Sequence, residues 1–185
     1  MTIRLRGPLA ALLLDGPSYG YRLKVTLEAE LGPLWAARPS QLYLALARMT
    51  RDGLVVSRRV RQATRPDRQL LELTKPGRQV AERWLFDQGP SEEVVLRLAI
   101  GRLVVPERFD ELVTTVVAER SAALRQLRSL RAEAVDGFQP EALAAEMARV
   151  QAELRWADGL RDRSRELVRR PRAGRQRGER VVRPA

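Results

Sequence analysis

The side chains in this sequence best suited to chemistry are arginines. Arg58, Arg59, Arg61, Arg65 and Arg68 crowd eleven consecutive positions around a short segment that contains Pro66. Guanidinium groups gathered on one loop can follow a line of phosphates or enter a minor groove. A solvated charged hairpin is the plainer alternative. A second group, Ser40, Gln41, Tyr43 and Leu44, follows Pro39 at the head of an apolar-periodic stretch. Glutamine can pair with two edge atoms of adenine, and serine can donate to or accept from several bases. Local roles compete here: Ser40 as an N-cap or first-turn residue, Gln41 as a solvated side chain. A third group, Tyr19, Tyr21, Arg22 and Lys24, sets phenols and cations at the start of another periodic stretch. Such groups suit phosphate oxygens, although Tyr21 also reads as a core aromatic with its hydroxyl at the surface.

Enzyme chemistry finds little support. The chain has no histidine and no cysteine, which removes the commonest acid–base catalyst and every thiolate ligand, thiol nucleophile and disulfide. Glu92-Glu93 and Asp110-Glu111 are adjacent carboxylates, but each pair stands where a helix begins and suits the positive end of its dipole. The expectation is no catalytic residue, no metal and no cofactor.

The elements that must hold these groups follow from periodicity and turn residues. Leu9 to Leu14 reads as a short helix against the core. Asp15-Gly16-Pro17-Ser18 is turn chemistry, with Ser18 as cap of a helix over about 18–31, whose Leu23, Leu27 and Leu31 share one face. Gly32-Pro33 stops it. Pro39-Ser40 starts a third helix with Leu42, Leu46 and Met49 inward and Asp52-Gly53 at its end. Two strands follow, 54–60 and 69–73, joined by the loop 62–67, and Thr74 caps a helix over 76–86. Three helices, a hairpin and a helix in that order predict a winged helix-turn-helix, with 40–44 on its recognition helix and the arginines on its wing.

Beyond Gly89-Pro90 the character changes. A helix carries Val94, Val95, Leu98 and Leu103. A longer one, from Pro106 to about Val135, carries Phe109, Leu112, Val113, Val116, Val117, Leu124 and Leu127. In the last, Leu143, Met147, Val150, Leu154 and Ala157 step by four and three, the spacing of a coiled-coil seam. Long amphipathic helices need a partner surface, and a second copy is the simplest supplier. Phe109, Leu112, Val113, Val116, Leu143, Met147, Val150 and Leu154 are therefore the expected dimerisation residues. The fold class expected is mainly α: a winged helix-turn-helix with a two-stranded β-hairpin wing at 1–88, a long-helix dimerisation region at 91–168, and a basic disordered tail at 169–185.

Charge supports that division. Of the net +11 over 185 residues, residues 1–86 carry +8, residues 87–168 carry −3 and residues 169–185 carry +6. A basic first half is the footprint of a polyanion binder. Arginine supplies 32 of the 34 basic residues, a usage that base composition of the coding DNA also produces. The longest uncharged run is nine residues, Pro39 to Ala47, against the ~20 that a membrane span needs. With no apolar leader visible, a soluble cytoplasmic chain without membrane contact is expected.

Leu12-Leu13-Leu14-Asp15-Gly16-Pro17-Ser18-Tyr19-Gly20-Tyr21, Ser40-Gln41-Leu42-Tyr43-Leu44-Ala45-Leu46, Asp52-Gly53-Leu54-Val55 and Leu73-Thr74-Lys75-Pro76-Gly77 together resemble the PadR family of transcriptional regulators over residues 5–86. Residues 91–168 resemble more weakly the helical dimerisation region of its longer members. The resemblance implies a homodimer that binds a double-stranded DNA operator, an inverted repeat, and most often represses. It leaves a small-molecule effector open, with Trp35, Trp84 and Trp156 as candidate lining of a ligand cavity at the dimer interface. This chain departs from the family at Ser40-Gln41, where Gly-Thr is usual, at Leu44, where proline is usual, and at Leu70-Leu71, where two tyrosines are usual. The target sequence therefore does not carry over. Two other classes compete: a protein-interaction module that has lost DNA binding, which the arginine-rich wing opposes, and a small-ligand carrier.

Overall fold

A computed structural model describes residues 5–32, 35, 37–60, 68–87, 93–134 and 137–169; of Asp162 and residues 164–169 it describes the backbone alone. Arg61, Arg65, Glu92 and the expected tail from residue 170 lie outside the described residues.

The order is α1 (Arg6–Leu12), a 3₁₀ turn (Leu13–Asp15), β1 (Ser18–Tyr19), α2 (Gly20–Leu31), α3 (Pro39–Arg51), β2 (Val55–Val60), β3 (Arg68–Leu73), α4 (Lys75–Phe86), α5 (Val94–Val104), a 3₁₀ turn (Pro106–Arg108), α6 (Phe109–Glu133) and α7 (Gln139–Arg169). The chain is mainly helical with a winged helix-turn-helix head, and α1 to α3 pack against the hairpin and α4. Helix α1 is apolar all round, as a helix enclosed by others must be, and every residue from Gly7 to Leu12 is buried. Its closest approach is to α4: a Cβ on Gly7 would stand 2.2 Å from Trp84 Cδ1. The Trp84 indole N–H donates to the buried Glu93 carboxylate at 2.8 Å.

The sheet holds one strand more than the sequence showed. Ser18 and Tyr19, expected to open α2, are extended and pair antiparallel with Leu71 and Leu70, so the order is β1-β3-β2. Gly16, at φ +123°, turns the chain to run beside β3, and α2 begins two residues late, at Gly20. Ser18 thus does not cap the helix. The hairpin register runs from Val55↔Leu73 to Val60↔Arg68. Val55, Leu71 and Leu73 are buried while residues 56–59 and 68–69 are exposed, so the base of the wing is core and its far end is surface.

Two sequence motifs 21 residues apart, at Gly53 and Thr74, clasp each other beneath the wing. Helix α3 ends in a Schellman turn: Leu54 N–H donates to Met49 C=O at 2.9 Å and Gly53 N–H to Thr50 C=O at 3.1 Å, with Gly53 at φ +68°, where glycine has no steric cost. Across from it Thr74 accepts from Gly77 N–H at 3.1 Å as the N-cap of α4 and donates its own hydroxyl proton to Gly53 C=O at 2.7 Å. Thr74 N–H donates to Leu54 C=O at 3.0 Å. Side chains larger than hydrogen are barred at Gly77, whose Cβ would lie 1.9 Å from the Leu54 oxygen.

The apolar core does not stop at the expected division near residues 88–91. Helix α5 lies against α1 and α2, and one cluster runs from Leu5 through Leu98 and Ile100 to Leu112, Val116 and Ala157. This alters the place of the expected dimerisation residues. Phe109, Leu112, Val113 and Val116 are 0–2% exposed inside the chain's own core. Val150 is buried as well, and Leu143, Met147 and Leu154 are half-buried, where α7 folds back along α6. Periodicity revealed a stripe that needs a partner; the turn at Gly137 supplies one within the same chain. Among the described residues, the large apolar side chains left in water here are Val95 on α5 and Leu130, Phe138 and Trp156 on the arm formed by α6 and α7; Phe138 is 80% exposed.

Candidate nucleic-acid interface

Helix α3 buries Leu42, Leu46 and Met49, and its 3.6-residue period then turns Ser40, Gln41, Tyr43 and Leu44 outward. All four are exposed. Arg48 and Arg51, both exposed, continue that face by steps of four and three from Leu44. The sequence reading passed over them, although their spacing from Leu44 was the available signal.

The first turn gives Gln41 a second role. Arg38 stands at the N-cap position and Pro39 at the first helical position, which places Ser40 in the first turn. Gln41 Oε1 accepts from Arg38 N–H at 2.9 Å, the returning half of a capping box. Arginine carries no acceptor, so the other half has no side chain to make it, and Gln41 alone holds the cap. Gln41 is exposed and its amide NH₂ group carries two donors, while the oxygen that would complete a bidentate contact to adenine already accepts from Arg38 N–H.

Helices α2 and α3 meet at Gly20. A Cβ there would lie 2.9 Å from Tyr43 Cε1 and 3.2 Å from Leu46 Cδ1. This close approach lays the Tyr43 ring against the start of α2 and leaves a cleft of about 490 Å³ between α2, α3 and the wing. Tyr19, Tyr21, Arg22, Tyr43, Thr50, Arg68 and Gln69 line it. Tertiary structure therefore brings five predicted residues to one concavity. Gln69 was not among them; it lies on the strand face of buried Leu71 and Leu73 and is exposed because the outer end of β3 runs beyond the core. The Arg68 guanidinium stands 5.9 Å from the centroid of the Tyr19 ring, at the outer limit of a cation–π contact.

The remaining cations differ in availability. Lys24 pairs with Glu28 at 2.9 Å along α2, and that bond holds its ammonium pKa above the ordinary value. Arg58 sits 3.8 Å from Glu72, a loose exposed pair that a phosphate would replace at little cost. Neither the cleft nor a second one of about 460 Å³ between α2 and the end of α5 is lined by a tryptophan. Trp84 is buried under α1, Trp35 packs on the core and Trp156 lies partly exposed on α7. Among the described residues no group of three or more acidic, histidine or cysteine side chains could hold a metal ion, and no helix is long and apolar enough to cross a membrane.

Residues 9–83 match the model of the Transcriptional regulator PadR-like family. Among solved structures, the chain is similar to Bacillus subtilis PadR in complex with operator DNA, at 23% identity over 85% of this chain and 98% of that one, with a TM-score of 0.43. The same protein in complex with p-coumaric acid matches at 22% identity over 87% and 98%, with a TM-score of 0.38. A PadR-like transcriptional regulator from Bacillus cereus matches at 16% identity over 90% and 97%, with a TM-score of 0.39. No curated protein matches the chain.

Proposed function

We propose that this chain, whose residues 9–83 match the model of the Transcriptional regulator PadR-like family, is a DNA-binding regulator that acts as a dimeric repressor of an inverted-repeat operator. Helix α3 enters the major groove, a channel about 12 Å wide. There Ser40, Gln41, Tyr43 and Leu44 meet base edges, and Arg48 and Arg51 reach the flanking backbone. Tyr19, Tyr21, Arg22 and Arg68 hold phosphate across the cleft between α2 and the wing, joined by Lys24 once a phosphate draws it from Glu28. Arg58, Arg59, Arg61 and Arg65 extend that contact along the wing.

The observation that carries this reading is the exposure of one face of α3 beside a cleft lined by two arginines and three tyrosines. A protein-docking head would have no use for so many cations around one helix. Two copies join through the arm, with Val95, Leu130, Phe138 and Trp156 supplying apolar contact beyond the stripe each chain already buries.

Gel-shift titration at moderate salt, with a random duplex pool followed by selection, tests the proposal. A two-fold repeat of one half-site is the expected product, bound by a protein that sediments as a dimer. Absence of any enriched sequence would exclude operator recognition, and a monomer at assay concentrations would exclude the two-fold reading.

A further inference from the structure

Between head and arm lies a charge that DNA contact does not require. Arg97 on α5 is 0% exposed, the largest of the fully buried side chains. Its guanidinium holds two elements at once. Nη2 donates to the Leu85 carbonyl in the last turn of α4 at 2.6 Å, and Nη1 and Nη2 both donate to the Glu119 carboxylate on α6, at 2.6 and 3.2 Å. Helix α4 belongs to the winged head and α6 to the arm, so one planar group joins the two through a third helix. Nε has no partner among the described residues. A buried ion pair with a donor left over is a poor device for stability alone, and such pairs serve better to fix one geometry.

Two further arginines of the same segment reach the head, Arg102 to Glu30 on α2 and Arg108 to Glu82 on α4. Both pairs are partly exposed and screened, so they constrain weakly. Of these three arginines, only Arg97 is fully buried and bidentate to a carboxylate on another helix.

We infer that Arg97 is a positioning residue that sets the angle between the reading head and the α6–α7 arm, and through it the separation of half-sites that a dimer accepts. This rests on the DNA-binding reading above. Lever length makes the angle matter. Helix α6, with 25 residues, is about 37 Å long, so a swing of about 5° at its base moves its far end ~3 Å, roughly the rise of one base pair in a repeat of 34–36 Å per turn. The apolar cluster that head and arm share holds them together without fixing direction, so loss of the directional Arg97 bonds would let the angle relax by a few degrees and broaden the spacings accepted.

The test is selection from a random duplex library with the full chain, comparing wild type with Arg97→Met, Arg97→Lys and Glu119→Gln. Glu119 keeps partial access to water, so its carboxylate is not stranded when Arg97 is replaced, and Glu119→Gln serves if Arg97→Met fails to fold. Wild type is expected to enrich one half-site at one spacing, and each variant the same half-site spread over several base pairs of spacing. A single unchanged spacing in every folded variant, or an affinity loss equal at all spacings, would overturn the inference. If wild type enriches no half-site, the operator reading itself falls and takes this inference with it.

Discussion

Replacing Thr74 with valine removes two bonds while keeping the β-branched shape. The hydroxyl caps α4 through Gly77 N–H and donates to Gly53 C=O. Loss of an N-cap costs about 1 kcal/mol, and a hydrogen bond between partners that stay half in water about 1 kcal/mol more, so Thr74→Val should destabilise by about 2 kcal/mol. For a chain of this size that is roughly 4–8 °C in Tm, or about 1 M in the urea midpoint at an m-value near 2 kcal/mol/M. Thr74→Ser keeps both bonds and should stay within about 0.5 kcal/mol of wild type. Urea unfolding followed by circular dichroism reads all three proteins. The valine variant should also bind duplex more weakly, because the clasp aligns the wing with the end of α3. A valine variant as stable as wild type would refute the reasoning, and so would a serine variant that falls equally far.

Gln41→Ala should lower discrimination at one operator base pair by less than the ~1–3 kcal/mol of a full bidentate contact, since its oxygen is held by Arg38 N–H, and, by undoing the returning cap, reduce helix stability by less than about 1 kcal/mol. Gln41→Glu keeps the cap acceptor, so a glutamate variant with full stability and lost base preference, measured by competition binding, separates the two roles. Gly20→Ala forces a methyl group against the Tyr43 ring and should cost ~1–3 kcal/mol as overpacking, with reduced operator affinity in the same protein; thermal melts and gel shifts check both. Neutralising Arg61 and Arg65 together should lower the slope of log affinity against log salt by ~1.8, and Arg68→Gln by a further ~0.9. An unchanged slope would remove those side chains from the interface.

Much of the head was legible because its signals are local. Leucines spaced by four marked α2, proline and glycine marked where helices start and stop, and the inward set Leu42, Leu46 and Met49 fixed by subtraction which face of α3 meets solvent. The strand at Ser18–Tyr19 was hidden, since two residues carry no alternation and a serine before a helix reads equally well as its cap. Arg38 carries no side-chain acceptor, so nothing at that position announced a cap completed by Gln41.

The residue chemistry of this protein was decided by the chain of letters alone: no histidine or thiol for catalysis, a basic first half, a helix with Gln41 near its start and arginines in the segment that follows it. Periodicity depends only on neighbours along the chain, and it shows that a face must be covered. What covers it depends on contacts between distant segments. Tertiary structure decided that Phe109, Leu112, Val113 and Val116 are covered within their own chain, that Tyr43 rests on Gly20, and that Arg97 ties α4 to α6 across 34 residues of sequence, from Leu85 to Glu119. Each is a meeting of surfaces in space, which no local pattern encodes.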